Sequence, residues 1–156
     1  MLNVLASIRP QHVENILSGK KTAELRKGCP EIPFKAYIYC TKTNKISEVL
    51  YLDEQKNVQR RTWDIDERKY INSFLNGRVI GEFICDSYCY IQKHISMAGV
   101  SEHLCLTQEQ IDKYIGEKRH GGYAWHISDL KIYDTPKELS EFGLKRPPQS
   151  WQYIKE

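Results

Sequence analysis

The polar residues best placed to do chemistry follow one another in the segment SGKKTAELR, positions 18 to 26. Five of its side chains are candidates, three cations, a hydroxyl and a carboxylate: Lys20, Lys21, Arg26, Thr22 and Glu24. Lysine and arginine bind phosphate through charge-assisted hydrogen bonds, and hydroxyl and carboxylate oxygens read the edge of a base. The segment therefore predicts contact with a nucleotide. Alternating charge is equally typical of a solvated edge strand with cross-strand ion pairs, and these residues alone do not separate the two interpretations.

One carboxylate interrupts an otherwise apolar strand. Glu82 stands between Ile80 and Ile84. Buried carboxylates are usually paired, so we expect Lys21 or Arg26 to be its partner. Such a pair would either position a ligand or hold the sheet together, and the structural role is favoured because ion pairs perturb carboxylates without any catalysis.

Aromatic and basic residues elsewhere are candidates for further contacts. Four of the aromatic residues on predicted strands are candidates: Tyr37, Tyr39, Tyr123 and Trp125. Core packing explains them, and the alternative is that one or two stack on a base, for which Tyr39 is our candidate. In the tail, Lys145 and Arg146 are expected to form a second lip of the nucleotide site. The alternative is that this proline-rich tail packs over one end of the domain.

Five potential metal ligands lie within 21 residues: Cys85, Cys89, His94, His103 and Cys105. Only Cys85 and Cys89 have the close spacing of a zinc pair, and they equally fit small apolar residues on one strand face. No catalytic triad, P-loop or dinucleotide motif is present. We therefore expect neither a metal nor a cofactor.

The composition is that of an ordinary folded protein. The chain has 156 residues, of which 40% are hydrophobic and 28% charged. This excludes disordered and fibrous classes and fits a single domain over residues 1–156. No apolar run approaches the ~20 residues of a membrane-spanning helix and no signal peptide is evident, so we expect a cytoplasmic protein with reduced thiols. The first 50 residues hold eight Lys and Arg against four Asp and Glu, which permits an anionic ligand near the polar segment.

Hydrophobic periodicity predicts the elements that hold these residues. We expect helices at about 10–18, 66–77, 108–116 and 136–143. We expect strands at about 2–8, 20–27, 35–41, 78–91 and 123–133. Residues 42–65 fit a variable excursion or hairpin better than core. Five or six strands with short, scattered helices indicate an α+β domain with a curled or barrel-like mixed sheet.

Four segments stand in an order that resembles one known family. They are SIRPQHVENILSGKKTAELRK at 7–27, GRVIGEF at 77–83, GYAWHI at 122–127, and Pro136-x-x-Leu139 before the PPQS tail. This order resembles that of ASCH domains (activating signal cointegrator homology), which belong to the PUA-like superfamily. The resemblance covers most of the chain and is weakest at residues 42–65 and 93–106.

The resemblance implies a small mixed β-barrel with short flanking helices, in a group associated with RNA or modified nucleotides. It also implies a cleft walled by the polar residues of 20–26. Some bacterial members resemble amidohydrolases that use a Lys and a Thr on this strand and a Glu from a later loop. Their nucleophilic Thr lies three residues after the Lys; counted from Lys21 that position is Glu24, which is not an alcohol nucleophile. The resemblance therefore leaves enzymatic activity open.

Three functions are compatible with these residues. The preferred one is binding of RNA or a nucleotide, with DNA also possible, in which the cations of 20–26 contact phosphates and the hydroxyl and carboxylate contact a base. The second is hydrolysis of a modified nucleoside or of single-stranded RNA, with Lys21 polarising the substrate and Glu24, Glu82 or Glu102 as general base. The third is a protein interaction module, which an exposed apolar patch without a basic cleft would indicate.

Overall fold

The computed structural model describes residues 1–155. The strands are β1 (Leu2–Ile8), β2 (Ala23–Arg26), β3 (Phe34–Cys40), β4 (Leu50–Leu52), β5 (Val58–Arg60), β6 (Arg78–Cys85), β7 (Tyr88–Gln92), β8 (Gly121–His126), β9 (Ser128–Lys137) and β10 (Trp151–Tyr153). The α-helices are α1 (Pro10–Leu17), α2 (Glu67–Tyr70), α3 (Val100–Leu104) and α4 (Gln108–Ile115). Short 3-10 segments cover Ile46–Glu48 and Leu139–Phe142.

The largest sheet has five strands in the order β10-β1-β3-β6-β9. β1 and β3 run parallel, and the other neighbouring pairs are antiparallel. Because side chains alternate along a strand, β1 sends Val4 and Ile8 into the main core and Leu5 to the opposite face, where it packs with Tyr39. Both faces are covered, which is why β1 is an almost continuous apolar run.

A second sheet, in the order β2-β8-β7, carries the polar segment at its edge. One face of β2 presents Ala23 and Leu25 to an apolar cluster that α3 and α4 complete through residues such as Leu104. By alternation, Glu24 and Arg26 lie on the opposite face. β2 thus places its charged residues on the side away from this second cluster.

Two predicted strands each prove to be two strands. Residues 78–91 divide at 86–87 into β6 and β7, and residues 123–133 span β8 and β9. The members of each pair lie in different sheets. Together with the hairpin β4-β5, the strands of residues 1–155 form three separate sheets that do not close on one another. The α+β class is confirmed, and a closed barrel is not.

The helices at 10–18 and 108–116 are confirmed. α4 begins with a capping box in which Thr107 and Gln110 satisfy each other's backbone N–H groups. The helix predicted at 66–77 stops at residue 70, because the chain then pairs with the hairpin: the Leu75 N–H donates to the Leu50 carbonyl at 3.0 Å. The helix predicted at 136–143 is only a 3-10 segment, since β9 continues to residue 137.

Residues 42–65 contain the predicted hairpin, formed by β4 and β5. The expectation that this segment lies outside the core is wrong for Leu50 and Leu52, which are each 2% exposed and belong to the main core. Among residues 1–155, no helix has the length and apolar character needed to cross a membrane.

Candidate functional site

Three of the predicted site residues form a buried ion cluster. Glu24 Oε1 accepts a hydrogen bond from Arg26 Nη2 at 3.0 Å, and Glu24 Oε2 lies 3.5 Å from Lys21 Nζ. Lys21 is 3% exposed, Glu24 6% and Arg26 5%. Charged side chains are rarely buried this deeply unless they are paired. β2 is an edge strand, as one interpretation expected, but these charges are not solvated.

Local backbone contacts explain how Lys21 turns inward. After α1, Gly19 adopts a φ of +80°, a conformation that favours glycine, and reverses the chain. The Lys21 N–H then donates to the Asn15 carbonyl of α1 at 2.9 Å. Its ammonium group donates to the Leu104 carbonyl at the end of α3, at 2.6 Å. Lys21 therefore ties α1 and α3 to β2.

One histidine outside the predicted site adjoins these charges. His12 is half-buried on α1, one turn before the buried Ile16. Burial lowers the pKa of His12, and the charge of Lys21 lowers it further. The imidazole is therefore neutral at pH 7. Its i, i+4 relation to Ile16 marks the inner side of α1, but nothing in the sequence connects that side of α1 with β2.

We call His12, Lys21, Glu24 and Arg26 the β2 cluster. Three of its buried atoms have no hydrogen-bond partner within residues 1–155: His12 Nδ1, Glu24 Oε2 and Arg26 Nε. Glu24 Oε2 has the Lys21 ammonium as its ionic neighbour. Leaving a buried polar atom without a hydrogen bond costs about 1–3 kcal/mol, so atoms of this kind are places where a polar ligand gains most.

The β2 cluster carries a net charge of one positive unit. Burial alone would raise the pKa of Glu24, but the charges of Lys21 and Arg26 outweigh it and hold that pKa below its ordinary value of 4.5. Glu24 is therefore ionised at neutral pH, against two cations and a neutral imidazole. This balance suits a ligand that bears negative charge together with hydrogen-bonding groups.

The C-terminal tail covers Arg26. Arg26 Nη1 donates to the Ser150 carbonyl at 2.9 Å and to Ser150 Oγ at 3.1 Å, and Nη2 donates to the Ser7 carbonyl at 2.8 Å. Tyr114 of α4 lies nearby: burial raises the pKa of its hydroxyl group, and the charge of Arg26 opposes that rise. On this side the tail and α4 close the cluster.

A cleft of about 600 Å³ opens at the start of α1. Its lining contains three exposed cations, Arg9, Lys42 and Lys45, against one acid, Glu48. The positive charge of Arg9 also contributes to the lowered pKa of His12. The cleft at the start of α1 is therefore basic.

The other predicted contacts of the segment and tail lie at the surface. Lys20 is exposed, and Thr22 Oγ1 lies 2.6 Å from His103 Nδ1 in an exposed hydrogen bond. Lys145 and Arg146 are exposed on the tail, a few residues before its contact with Arg26. None of these four side chains belongs to the β2 cluster.

Two residues, Tyr39 and Glu82, do not make the contacts that the sequence predicts. The Tyr39 ring is 2% exposed and packs in the core, where a base does not reach its face, so its predicted role as a stacking residue is not retained. Glu82 pairs with Lys35 at 3.5 Å and accepts a hydrogen bond from the Tyr133 hydroxyl at 2.6 Å. The expectation that Lys21 or Arg26 pairs with Glu82 is therefore wrong, because β6 lies in the five-stranded sheet and β2 does not. Glu102 is exposed on α3.

Metal ligands do not converge in the described part of the chain. Within residues 1–155, no group of three or more His, Cys, Asp or Glu side chains is arranged to hold a metal ion. Cys85 is buried at the end of β6, whereas Cys89 is exposed on β7. The two cysteines of the close pair therefore lie in different sheets.

Solved structures share this architecture. No known family matches the sequence, and no curated protein matches it. Similar solved structures include the crystal structure of ASCH from Zymomonas mobilis, with a TM-score of 0.63 and 18% identity over 99% of this chain and 88% of that one. A tyrosine-to-phenylalanine variant of it gives a TM-score of 0.64 and 17% identity over 100% and 92%. A serine-to-alanine variant gives 0.64 and 17% over 99% and 89%.

These similarities extend over the whole described chain, from β1 to β10. The protein is thus a small α+β domain with a charged cluster at the edge of its second sheet. Its fold is that of an ASCH domain, as the motif order predicted.

Proposed function

We propose that this chain binds RNA or a nucleotide through the β2 cluster. The observation that carries the proposal is the combination of a net positive charge with three buried polar atoms that lack hydrogen-bond partners. A phosphate, together with the edge of a base, would supply both the negative charge and the missing hydrogen bonds. The ASCH-like fold supports nucleic acid as the general class of ligand.

Each member of the cluster has a role suited to its chemistry. Lys21 contacts a phosphate oxygen through its ammonium group, and Arg26 does so through Nε, its guanidinium nitrogen that has no partner within residues 1–155. Glu24 Oε2 accepts a hydrogen bond from an amino group or ring N–H of the base, since an ionised carboxylate is an acceptor only. His12 Nδ1 donates or accepts according to its tautomer. The ligand approaches past His12 and Arg9, where the surface is basic.

Exposed cations around the cluster add a less specific attraction. Lys20 precedes Lys21 in the chain, Lys145 and Arg146 lie a few residues before the Ser150 that contacts Arg26, and three further cations line the cleft at the start of α1. Contacts of this kind with phosphates release counterions, so binding weakens as salt increases. RNA, DNA and free nucleotides share this chemistry, and the experiment below separates them.

Binding is favoured over hydrolysis by the state of the candidate catalytic groups. Lys21 and Glu24 are paired with each other, and the lowered pKa of Glu24 makes it a weak base. Glu82 lies in the other sheet, paired with Lys35. The pKa of Glu24 and that of Glu82 are both lowered, whereas a general base near neutral pH requires a raised one.

The experiment is a titration of labelled single-stranded RNA, hairpin RNA, single-stranded DNA and a free nucleotide, at low and moderate salt. Lys21→Met keeps the apolar stem and removes the charge, and we expect it to weaken binding at least about tenfold, as for loss of a hydrogen bond to a charged group. Lys69→Met is the matched control: Lys69 is an exposed partner of Glu54, and its loss should change affinity less than twofold.

Circular dichroism and melting curves establish that each variant is folded. If Lys21→Met does not fold, His12→Gln tests the same cluster, because His12 is only half-buried and forms no ion pair in residues 1–155. Equal affinities of wild type, Lys21→Met and His12→Gln would overturn the placement of the site. Absence of binding to every ligand would overturn the function, and cleaved RNA on a denaturing gel would establish hydrolysis instead.

A further inference from the structure

Three tyrosines form an aromatic surface on the second sheet. Tyr88 and Tyr90 lie on β7, each 47% exposed, and both contact the half-buried Tyr123 of β8. Their ring centroids lie 5.2 Å and 5.4 Å from that of Tyr123, at steep interplanar angles. Large exposed aromatic side chains grouped in this way mark a binding surface more often than isolated ones do.

This surface lies in the same rows of the sheet as the β2 cluster. In the register of the sheet, Arg26 pairs with the half-buried Tyr123, which pairs with Tyr90, and Glu24 pairs with the buried Trp125, which pairs with Tyr88. Residues paired across antiparallel strands share one face. The tyrosines therefore lie on the same face of the sheet as the charges of the proposed nucleotide site, one and two strands away.

Positive charge borders the tyrosines at one end. Lys27 follows Arg26, and Arg119 donates from Nη1 to the Lys27 carbonyl at 3.4 Å. Gly121, two residues after Arg119, lies beneath the Tyr90 ring, since an added Cβ would be 2.7 Å from its hydroxyl oxygen. Lys118 and Arg119 are exposed, against the acidic Glu117, whereas the Lys27 ammonium lies 5.5 Å from the ring centroid of Tyr114 on α4. The other nearby acid, Asp86, is paired with His126 at 2.7 Å.

We propose that Tyr88 and Tyr90 form a base-stacking site that extends the nucleotide site over β7 and β8 and takes unpaired bases of a nucleic-acid strand. Aromatic rings beside a basic border are the combination that binds single strands, because every base has a face that can stack. Side chains two residues apart on a strand are separated by roughly 7 Å, about twice the spacing of stacked bases, so each ring can serve its own base. Paired bases already stack on each other and do not expose these faces.

The proposal rests on the proposed function, and the test separates the two. A labelled single-stranded RNA of about ten nucleotides, within the range of comparable sites, is titrated with the wild-type protein and two double variants. Tyr88→Ala with Tyr90→Ala removes both rings; Tyr88→Phe with Tyr90→Phe keeps them. The alanine variant should bind about a hundredfold more weakly, roughly tenfold for each ring, while the phenylalanine variant stays within about threefold of wild type.

Two further readings distinguish stacking from a general effect. The slope of log affinity against log salt should be unchanged in the alanine variant, because tyrosine releases no counterions, whereas Lys21→Met should lower it. A single nucleotide should bind the alanine and wild-type proteins equally. Trp63→Ala is the control. It removes an aromatic ring that is 89% exposed and distant in sequence from the three tyrosines, and it should not change affinity.

The proposal is overturned if wild type binds the strand and the alanine variant binds it equally well; the proposed function then survives alone. If Lys21→Met also binds equally, both are wrong. If the alanine variant binds RNA normally but loses self-association in sedimentation, the tyrosines form an interface between copies of the chain and not a base-stacking site.

Discussion

Replacing Glu24 by glutamine perturbs the β2 cluster most sharply. Glutamine keeps the size and one acceptor oxygen but leaves Lys21 and Arg26, 3% and 5% exposed, without a counter-charge. Removing one partner of a buried ion pair costs about 3–5 kcal/mol. Both cations keep their carbonyl partners, so we expect the lower end, about 3 kcal/mol off the free energy of unfolding. For a chain of this length that corresponds to a Tm lower by about 6–12 °C.

Urea unfolding followed by tryptophan fluorescence and far-ultraviolet circular dichroism measures this loss. The control is Glu14→Gln, at an exposed ion pair: Glu14 accepts two hydrogen bonds from Arg60, at 2.7 and 2.8 Å, and the Arg60 side chain is 66% exposed. Exposed pairs contribute little, so this control should lose less than about 1 kcal/mol. Equal losses in the two variants, or none in Glu24→Gln, would refute the description of a buried, mutually dependent cluster.

The pH dependence of the free energy of unfolding of wild type and of Glu24→Gln is an independent check. The pKa of Glu24 is lower in the folded protein than its ordinary value of 4.5, so its ionisation stabilises the fold above that pH. This stabilisation is lost as the pH falls through the folded pKa. The difference in stability between wild type and Glu24→Gln should therefore stay constant from about pH 7 to about pH 5 and shrink below pH 4.5. A difference that persists unchanged in strong acid would contradict the lowered pKa.

Three further predictions concern the scaffold. Thr107→Ala removes the capping box of α4. Urea unfolding should show a free energy of unfolding lower by about 1 kcal/mol. Gly121→Ala brings a Cβ against the Ile91 carbonyl and the Tyr90 ring and should cost about 1–3 kcal/mol; a neutral result would mean that β7 and β8 are less closely packed. Burial raises the pKa of Cys40 to about 12, as it does that of Cys85, so at about pH 8 Ellman's reagent should modify exposed Cys89 first and these two only after unfolding.

The local signals of the sequence predicted much of the site. Alternation along 20–27 put Glu24 and Arg26 on one face, and Gly19 with Pro10 bounded α1. Alternation does not reveal which of the two faces of β2 points into the domain. The polar residues of 20–26 are therefore predicted to form the wall of an exposed cleft, whereas Lys21, Glu24 and Arg26 are buried. His12 was missed because its role depends on α1 lying close to the charges of the polar segment, a relation between elements that no spacing within either one encodes.

The sequence also does not reveal which strands pair with one another over long distances in the chain. Glu82 was expected to pair with a cation of the polar segment, but β6 pairs with β3 and β9 in one sheet while β2 pairs with β8 in another. The turns at 86–87 and 127 separate those sheets, and the apolar alternation continues through both. The pattern therefore predicts one strand over 78–91, whereas β7 is a separate strand that leaves Tyr88 and Tyr90 exposed.

The central claim is that a nucleotide ligand meets the buried charges beside His12. The most direct test is an NMR titration of protein labelled with ¹⁵N at histidine, with the His12 signal assigned from His12→Gln. Adding RNA or a nucleotide that binds should shift the His12 ring resonances and leave those of His94 unchanged, since His94 is paired with Asp112 away from the cluster. Saturable binding with no change at His12 would contradict the account.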